Sequence, residues 1–141
     1  MKILIVEDDF GSRKVMQKYL SLYGDCDIAV DGEEAIEAFN LAWEEGTPYD
    51  LIFLDIMMPK IDGQQVLKII RTKENEMGIK GSEEVKVIMT TVLGDPKNVM
   101  EAFHKGGANS YLVKPFSQKK LLDEIRAIFA KSNIDIEPKK I

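Results

Sequence analysis

The stretch "LIFLDIMMPKIDG", Leu51 to Gly63, decides how this chain folds. Four apolar residues run straight into Asp55, and three more follow before Pro59. A run that apolar belongs in a protein core, where an ionised carboxylate is strongly penalised unless something offsets its desolvation. The run is too short for a core helix and lacks polar alternation, so it reads as a strand covered on both faces.

Similar short runs occur at Lys2–Val6, Asp27–Val30, Val85–Thr90 and Ser110–Val113. Longer segments with helical spacing separate them. Val15, Met16, Tyr19, Leu20 and Tyr23 form one stripe, and Ala35, Ile36, Phe39, Ala42 and Trp43 a second. Val66, Leu67 and Ile70 form a third, Val99, Met100 and Phe103 a fourth, and Leu121, Leu122, Ile125, Ile128 and Phe129 a fifth. Strands alternating with helices imply a parallel sheet with helices on both faces. Right-handed crossovers make a doubly wound α/β fold the simplest solution.

The punctuation agrees. "YGD" at Tyr23–Asp25 and "KGGAN" at Lys105–Asn109 read as helix exits, and Asp95–Pro96 as a helix start. Asp31-Gly32 and Asp62-Gly63 precede helical stripes without the acid spacing of a calcium loop, so both read as turn and cap. "TKENEMGIKGSEE", Thr72 to Glu84, reads as a frayed helix end and surface loop. Residues 1–131 are expected to form one domain and 132–141 a tail.

Bulk properties narrow the function. The chain has 141 residues, enough for one domain with its own core. A net charge of −5 argues against nucleic acid as a direct partner, because phosphate contacts need an excess of Lys and Arg. Cys26 is the lone cysteine, which fits a reducing compartment, and it reads as a small packed thiol. The opening "MKILIVEDD" is too short an apolar run for a signal peptide or membrane span, so a cytoplasmic protein is expected. His104 lies in a helical segment away from the acids. Met57–Met58 reads as loop packing rather than a soft-metal site, and Lys119–Lys120 as a solvated helix face.

In a doubly wound sheet, ligands bind at the carboxyl ends of the strands near the switch in chain order. Asp55 closes the third strand, and Glu7, Asp8 and Asp9 follow the first. If the two strands are neighbours, at least three carboxylates crowd together, and like charges disfavour one another's ionised form. A divalent cation removes that penalty. Magnesium suits the set, since it takes a few carboxylates, keeps waters and completes its shell with phosphate oxygen. Thr90 and Thr91 end the fourth strand and Lys114 the fifth. Acids, a hydroxyl and an ammonium on one sheet edge are suited to hold a metal and a tetrahedral anion, with Asp55 as nucleophile.

The segments "ILIVEDD", "LIFLDIMMPKIDG", "VIMTT" and "GANSYLVKPF", in this order, resemble those of the receiver domain of two-component response regulators, the chemotaxis-regulator type included. The resemblance spans Lys2 to about Lys131. It implies a flavodoxin-like three-layer sandwich, five strands in the order 2-1-3-4-5 flanked by five helices. It implies that Asp55 accepts a phosphoryl group from a histidine kinase or phosphotransfer protein. Asp8 would bind Mg2+ directly and Glu7 through water, with Asp55 and the main-chain carbonyl of Met57 as further ligands, while Asp9 starts the turn. Thr91 would hydrogen-bond the phosphoryl group, Lys114 would pair with it, and Tyr111 would be the aromatic that turns inward on activation. A cis Lys114–Pro115 peptide is part of the pattern.

The same resemblance implies a regulator that is not an enzyme, although it assists its own phosphotransfer and dephosphorylation. No output motif follows Lys131, so the chain reads as a stand-alone regulator or a receiver from a longer protein, its output partner unknown. A homodimer through the fourth and fifth helices is left open. The alternative is a receiver-like interaction module that never takes phosphate. A flavin-phosphate carrier is disfavoured by acids after the first strand, and a two-aspartate phosphatase by Met57 where its second aspartate belongs. Val92 replaces the small residue usual after the switch threonine, and with Met57 and Leu93 it is expected to rim the site, hinder water and prolong the phosphorylated state.

Overall fold

The computed structural model describes residues 1–92, 107–131 and 134–138. The strands are β1 (Lys2–Val6), β2 (Asp25–Ala29), β3 (Leu51–Asp55), β4 (Lys86–Val92) and β5 (Ser110–Lys114), and they form one parallel sheet in the order β2-β1-β3-β4-β5. The described helices are α1 (Phe10–Leu20), α2 (Gly32–Glu44), α3 (Gly63–Glu76) and α4 (Gln118–Ala130), with a 3-10 turn at Gly81–Glu83. The fourth of the five expected helical segments, with Leu93, Asp95–Pro96 and His104, lies outside the described residues.

β3 is buried along its whole length, which explains its unbroken apolar run. Ile52 and Leu54 pack with Phe39 of α2 and Val66, Leu67 and Ile70 of α3. Leu51 and Phe53 point the other way, into a cluster with Met16 and Leu20 of α1 and Leu121 and Ile125 of α4. The pleat therefore splits one strand between two cores, giving three layers. Each of these buried side chains contributes roughly 1.5–3 kcal/mol relative to exposure.

Double coverage holds for β1, β3 and β4 and fails at the sheet edges. β2 alternates exposed with half-buried positions up to a buried Ala29, and β5 is buried only at Ser110 and Leu112. This moves β2 from the expected 27–30 to Asp25–Ala29. Its ladder starts where Asp25 opposes Lys2, with the Asp25 N–H donating to the Met1 carbonyl at 2.9 Å. An edge strand tolerates Asp25 and Asp27; the polarity of Asp25 hid its start, while Val30 falls outside it.

Asp31 and Asp62 cap α2 and α3 as the sequence suggests, and Gln65 completes a capping box with Asp62. The "YGD" reading needs correction. α1 ends at Leu20 with Ser21 as its cap, and Gly24 is required by crowding, since a Cβ there would lie 2.4 Å from the Met1 carbonyl oxygen. Val15, expected in the α1 stripe, is 46% exposed. The segment from Thr72 is not frayed either. α3 continues to Glu76, and buried Glu74 pairs with Arg71 and accepts the Val85 N–H at 2.7 Å. Arg71 also donates to the carbonyls of Val85 and Gly107 and to Asn109, tying α3 to the starts of β4 and β5. Among residues 132–141, Ile136 is buried against the α1/α4 cluster.

Candidate functional site

Two neighbouring strands end side by side at the carboxyl edge of the sheet. β1 pairs with β3 up to Val6 opposite Leu54, so Glu7 and Asp55 both follow the last paired rung. Glu7 is 1% exposed and Asp55 5% exposed, whereas Asp8 is exposed. One carboxylate oxygen from each of the three lies within 4.8 Å of the others. Among the described residues this is the only cluster of three or more His, Cys, Asp or Glu side chains with that geometry. Asp9 stands apart as the N-cap of α1, accepting the Ser12 N–H at 2.8 Å.

Lys114, at the end of β5, reaches across this edge. Its ammonium donates to Glu7 Oε2 and lies 3.5 Å from Asp55 Oδ2. The Met57 N–H donates to Asp55 Oδ1 at 3.1 Å. Thr90 is the register partner of Asp55, and Thr91 is one residue further along. The Thr91 side chain is buried, and its hydroxyl donates to the Val92 carbonyl at 3.4 Å. Tyr111 on β5 is 41% exposed. The Lys114–Pro115 peptide is cis. Met58 is buried, whereas Met57 and Val92 are exposed.

The electrostatics of the cluster follow from this crowding. Burial pushes the Asp55 carboxyl up, the Glu7 carboxylate pushes it further, and Lys114 and the Met57 N–H pull back, leaving it at about 7. For Lys114, burial works against the ammonium, but its bond to Glu7 and the two carboxylate charges outweigh burial and raise its pKa. The acid set is thus short of positive charge. Three hard oxygen donors from two strand ends, one exposed and two buried, fit a small divalent cation such as Mg2+. Nitrogen and sulfur ligands for a softer metal are lacking in this cluster.

The structure brings together Glu7, Asp8, Asp55 and Lys114 as the sequence suggests. Two contributors were not apparent from sequence. Gly63, at the start of α3, packs so tightly on the strand end that a Cβ would come 2.3 Å from the Asp55 carbonyl oxygen. Arg13 of α1 donates through Nη1 to the carbonyls of Glu7 and Asp8. A glycine after a capping aspartate and an arginine on a helix face carry no distinctive signal by themselves.

A family model for the response regulator receiver domain matches residues 3–126. The chain belongs to this family. The receiver is similar to the "Probable transcriptional regulator ycf27" of Guillardia theta, 39% identical over 133 residues that make up 94% of this chain and 46% of that protein. It spans about half the length of the curated relatives it matches first. Among solved structures it is similar to the Vibrio cholerae chemotaxis protein CheY4, with a TM-score of 0.73, 26% identity, and 90% of this receiver and 97% of that chain covered. It is also similar to a chain in the co-crystal structure of the Saccharomyces cerevisiae histidine phosphotransfer signalling protein Ypd1 and the receiver domain of its downstream response regulator Ssk1. There the TM-score is 0.80 at 27% identity, covering 95% of this receiver and 92% of that chain. The fold and strand order expected from sequence are those observed. Among the described residues, no helix is long and apolar enough to cross a membrane.

Proposed function

We propose that this receiver is a phosphorylation-dependent switch in which Asp55 takes a phosphoryl group from the phosphohistidine of a kinase or phosphotransfer protein. The observation that carries the reading is the approach of Lys114 to within 3.5 Å of Asp55, beside two further acids. Such an edge suits an aspartate that must accept a dianion: acids to hold a cation, and an ammonium to meet the incoming oxygens.

Asp55 attacks phosphorus through a carboxylate oxygen. A P–O bond forms as the P–N bond to the donor imidazole breaks, and the leaving nitrogen keeps the electron pair and is protonated. The product is an aspartyl phosphate. Lys114, released from part of its bonding to Glu7, pairs with the phosphoryl oxygens, and the Thr91 hydroxyl turns from the Val92 carbonyl to donate to one of them. Asp8 and Asp55, with the Met57 carbonyl, would hold Mg2+ directly, and Glu7 through water. The cation, when bound, supplies charge neutralisation for the crowded acids and the transferring oxygens. A cleft of about 440 Å³, bordered by Asp9, Ser12, Val15, Lys114 and Phe116, opens beside Lys114.

The added charge then biases the surface around β4, β5 and α4, with Tyr111 reporting the change by turning inward, and a partner protein reads that surface. The receiver acts through protein contact, in the cytoplasm, as a switch and not a turnover enzyme. Incubation with a small acyl-phosphate donor and Mg2+ tests this directly. Intact mass should rise by one phosphoryl group in the wild type and not in Asp55→Asn. Absence of both phosphorylation and Mg2+-dependent beryllofluoride binding would leave a phosphate-independent interaction module.

A further inference from the structure

The acids after β1 sit on a loop of three residues, Glu7 to Asp9, between Val6 of β1 and Phe10 of α1. Two of its amides have clear partners. The Glu7 N–H donates to the Ala29 carbonyl at 3.1 Å and the Asp9 N–H to Glu7 Oε1 at 3.2 Å. Its carbonyls turn the other way. Those of Glu7 and Asp8 converge on one atom, Arg13 Nη1, at 3.1 and 3.0 Å. The guanidinium carbon lies 5.6 Å from the centroid of the Phe10 ring, and the Lys14 ammonium lies 5.4 Å from the same ring. This gives a use to an aromatic side chain that is 65% exposed.

We propose that Arg13 is a positioning residue for the metal site, holding the main chain of Glu7 and Asp8 so that their carboxylates stay gathered with Asp55 before any cation binds. The inference rests on the reading of Glu7, Asp8 and Asp55 as that site. Without a cation the three acids repel one another, and a short loop would relieve the repulsion by swinging Asp8 outward. Arg13 opposes this by tying two successive carbonyls to the first turns of α1, which Asp9 caps. The Phe10 ring packs against the guanidinium. The ordering is then complete before binding, so the cation need not supply it.

Charge and position pull in opposite directions here, which makes the proposal testable. A positive side chain near the acids repels a cation, so an Arg13 acting by charge alone would weaken metal binding, and Arg13→Met would tighten it. A positioning Arg13 gives the reverse. The experiment titrates Mg2+ into wild type and Arg13→Met, followed by backbone amide NMR shifts, and compares amide exchange at Glu7 and Asp9 in the metal-free proteins. The expected result is a Mg2+ Kd raised about five-fold or more and faster exchange at both amides. An unchanged or lowered Kd, or unchanged exchange, overturns the proposal. If Arg13→Met fails to fold, Arg13→Lys, which keeps the charge and loses the planar guanidinium, should move both readouts the same way by a smaller factor. If the wild type binds no Mg2+, the metal-site reading fails, and the amide exchange still decides the role of Arg13.

Discussion

Lys114 and Asp55 come from strands that are not neighbours, yet the Lys114 ammonium lies 3.5 Å from Asp55 Oδ2 while donating to Glu7. One cation thus serves two buried carboxylates, and under the proposed function it turns to the phosphoryl group that Asp55 accepts. Lys114→Met is therefore expected to weaken Mg2+-dependent beryllofluoride binding ten-fold or more, since a charge-assisted bond to the anion is lost. Affinity within two-fold of wild type, measured by titration, would place Lys114 outside the phosphoryl site.

Asp55 also sets a pH dependence. Its folded pKa of about 7 lies above the ordinary value of 3.8. Between those values the folded state binds more protons than the unfolded one, so stability falls as pH rises from about 4 through 7, then levels. Asp55→Asn removes this loss. In Mg2+-free buffer the variant should be more stable than wild type at pH 8, by on the order of 2–4 kcal/mol. The difference should shrink towards pH 4, and saturating Mg2+ should narrow it at pH 8. Denaturant melts at both pH values check the sign, and equal stability at pH 8 would contradict it.

Gly63 is the packing partner of the strand end that carries Asp55. A methyl at 63 would collide with main chain, not with the tip of a flexible side chain. Gly63→Ala should therefore destabilise the receiver by roughly 1–3 kcal/mol and slow labelling of Asp55 as the strand end shifts. A thermal melt and acyl-phosphate labelling rate read the two effects. Loss of neither would mean that α3 can back away at no cost.

Exposed apolar side chains at or beyond the ends of the strands are expected to lengthen the lifetime of the phosphorylated form. Met57 is 60% and Val92 49% exposed, at the ends of β3 and β4. Apolar side chains there offer an attacking water no hydrogen bond. Met57→Asn and Leu93→Glu should each speed phosphoryl loss several-fold, followed by the decay of the phosphorylated mass after donor removal. Unchanged or slower decay in both would dismiss a role for the apolar rim.

Residues beyond α4 contribute to the core. The Ile134 N–H donates to the Phe129 carbonyl at 3.0 Å, and Ile136 is buried in the α1/α4 cluster, while Ile134 itself is exposed. Ile136→Asp should cost at least about 2 kcal/mol, and Ile134→Asp close to none. Chemical denaturation of the two variants separates a packed segment from a passive tail.

The sequence by itself determined the layers. Unbroken apolar runs in β1, β3 and β4 can be satisfied only by cover on both faces, and the helical stripes between them supply that cover. It also marked Asp55, Glu7 and Lys114, because a charged residue ending an apolar strand is costly enough to stand out, whereas Asp8 was chosen over Asp9 by the family resemblance. What it left undetermined depends on neighbours distant in the chain. The start of β2 at Asp25 shows only against Lys2, the burial of Glu74 only with Arg71 and the Val85 amide beside it, and the need for glycine at 63 only where α3 meets the Asp55 carbonyl. Arg13 reads as an ordinary helix arginine until folding sets two carbonyls before it. Periodicity records which face of an element is buried, whereas the partner of a particular polar atom is chosen when separate elements close on one another.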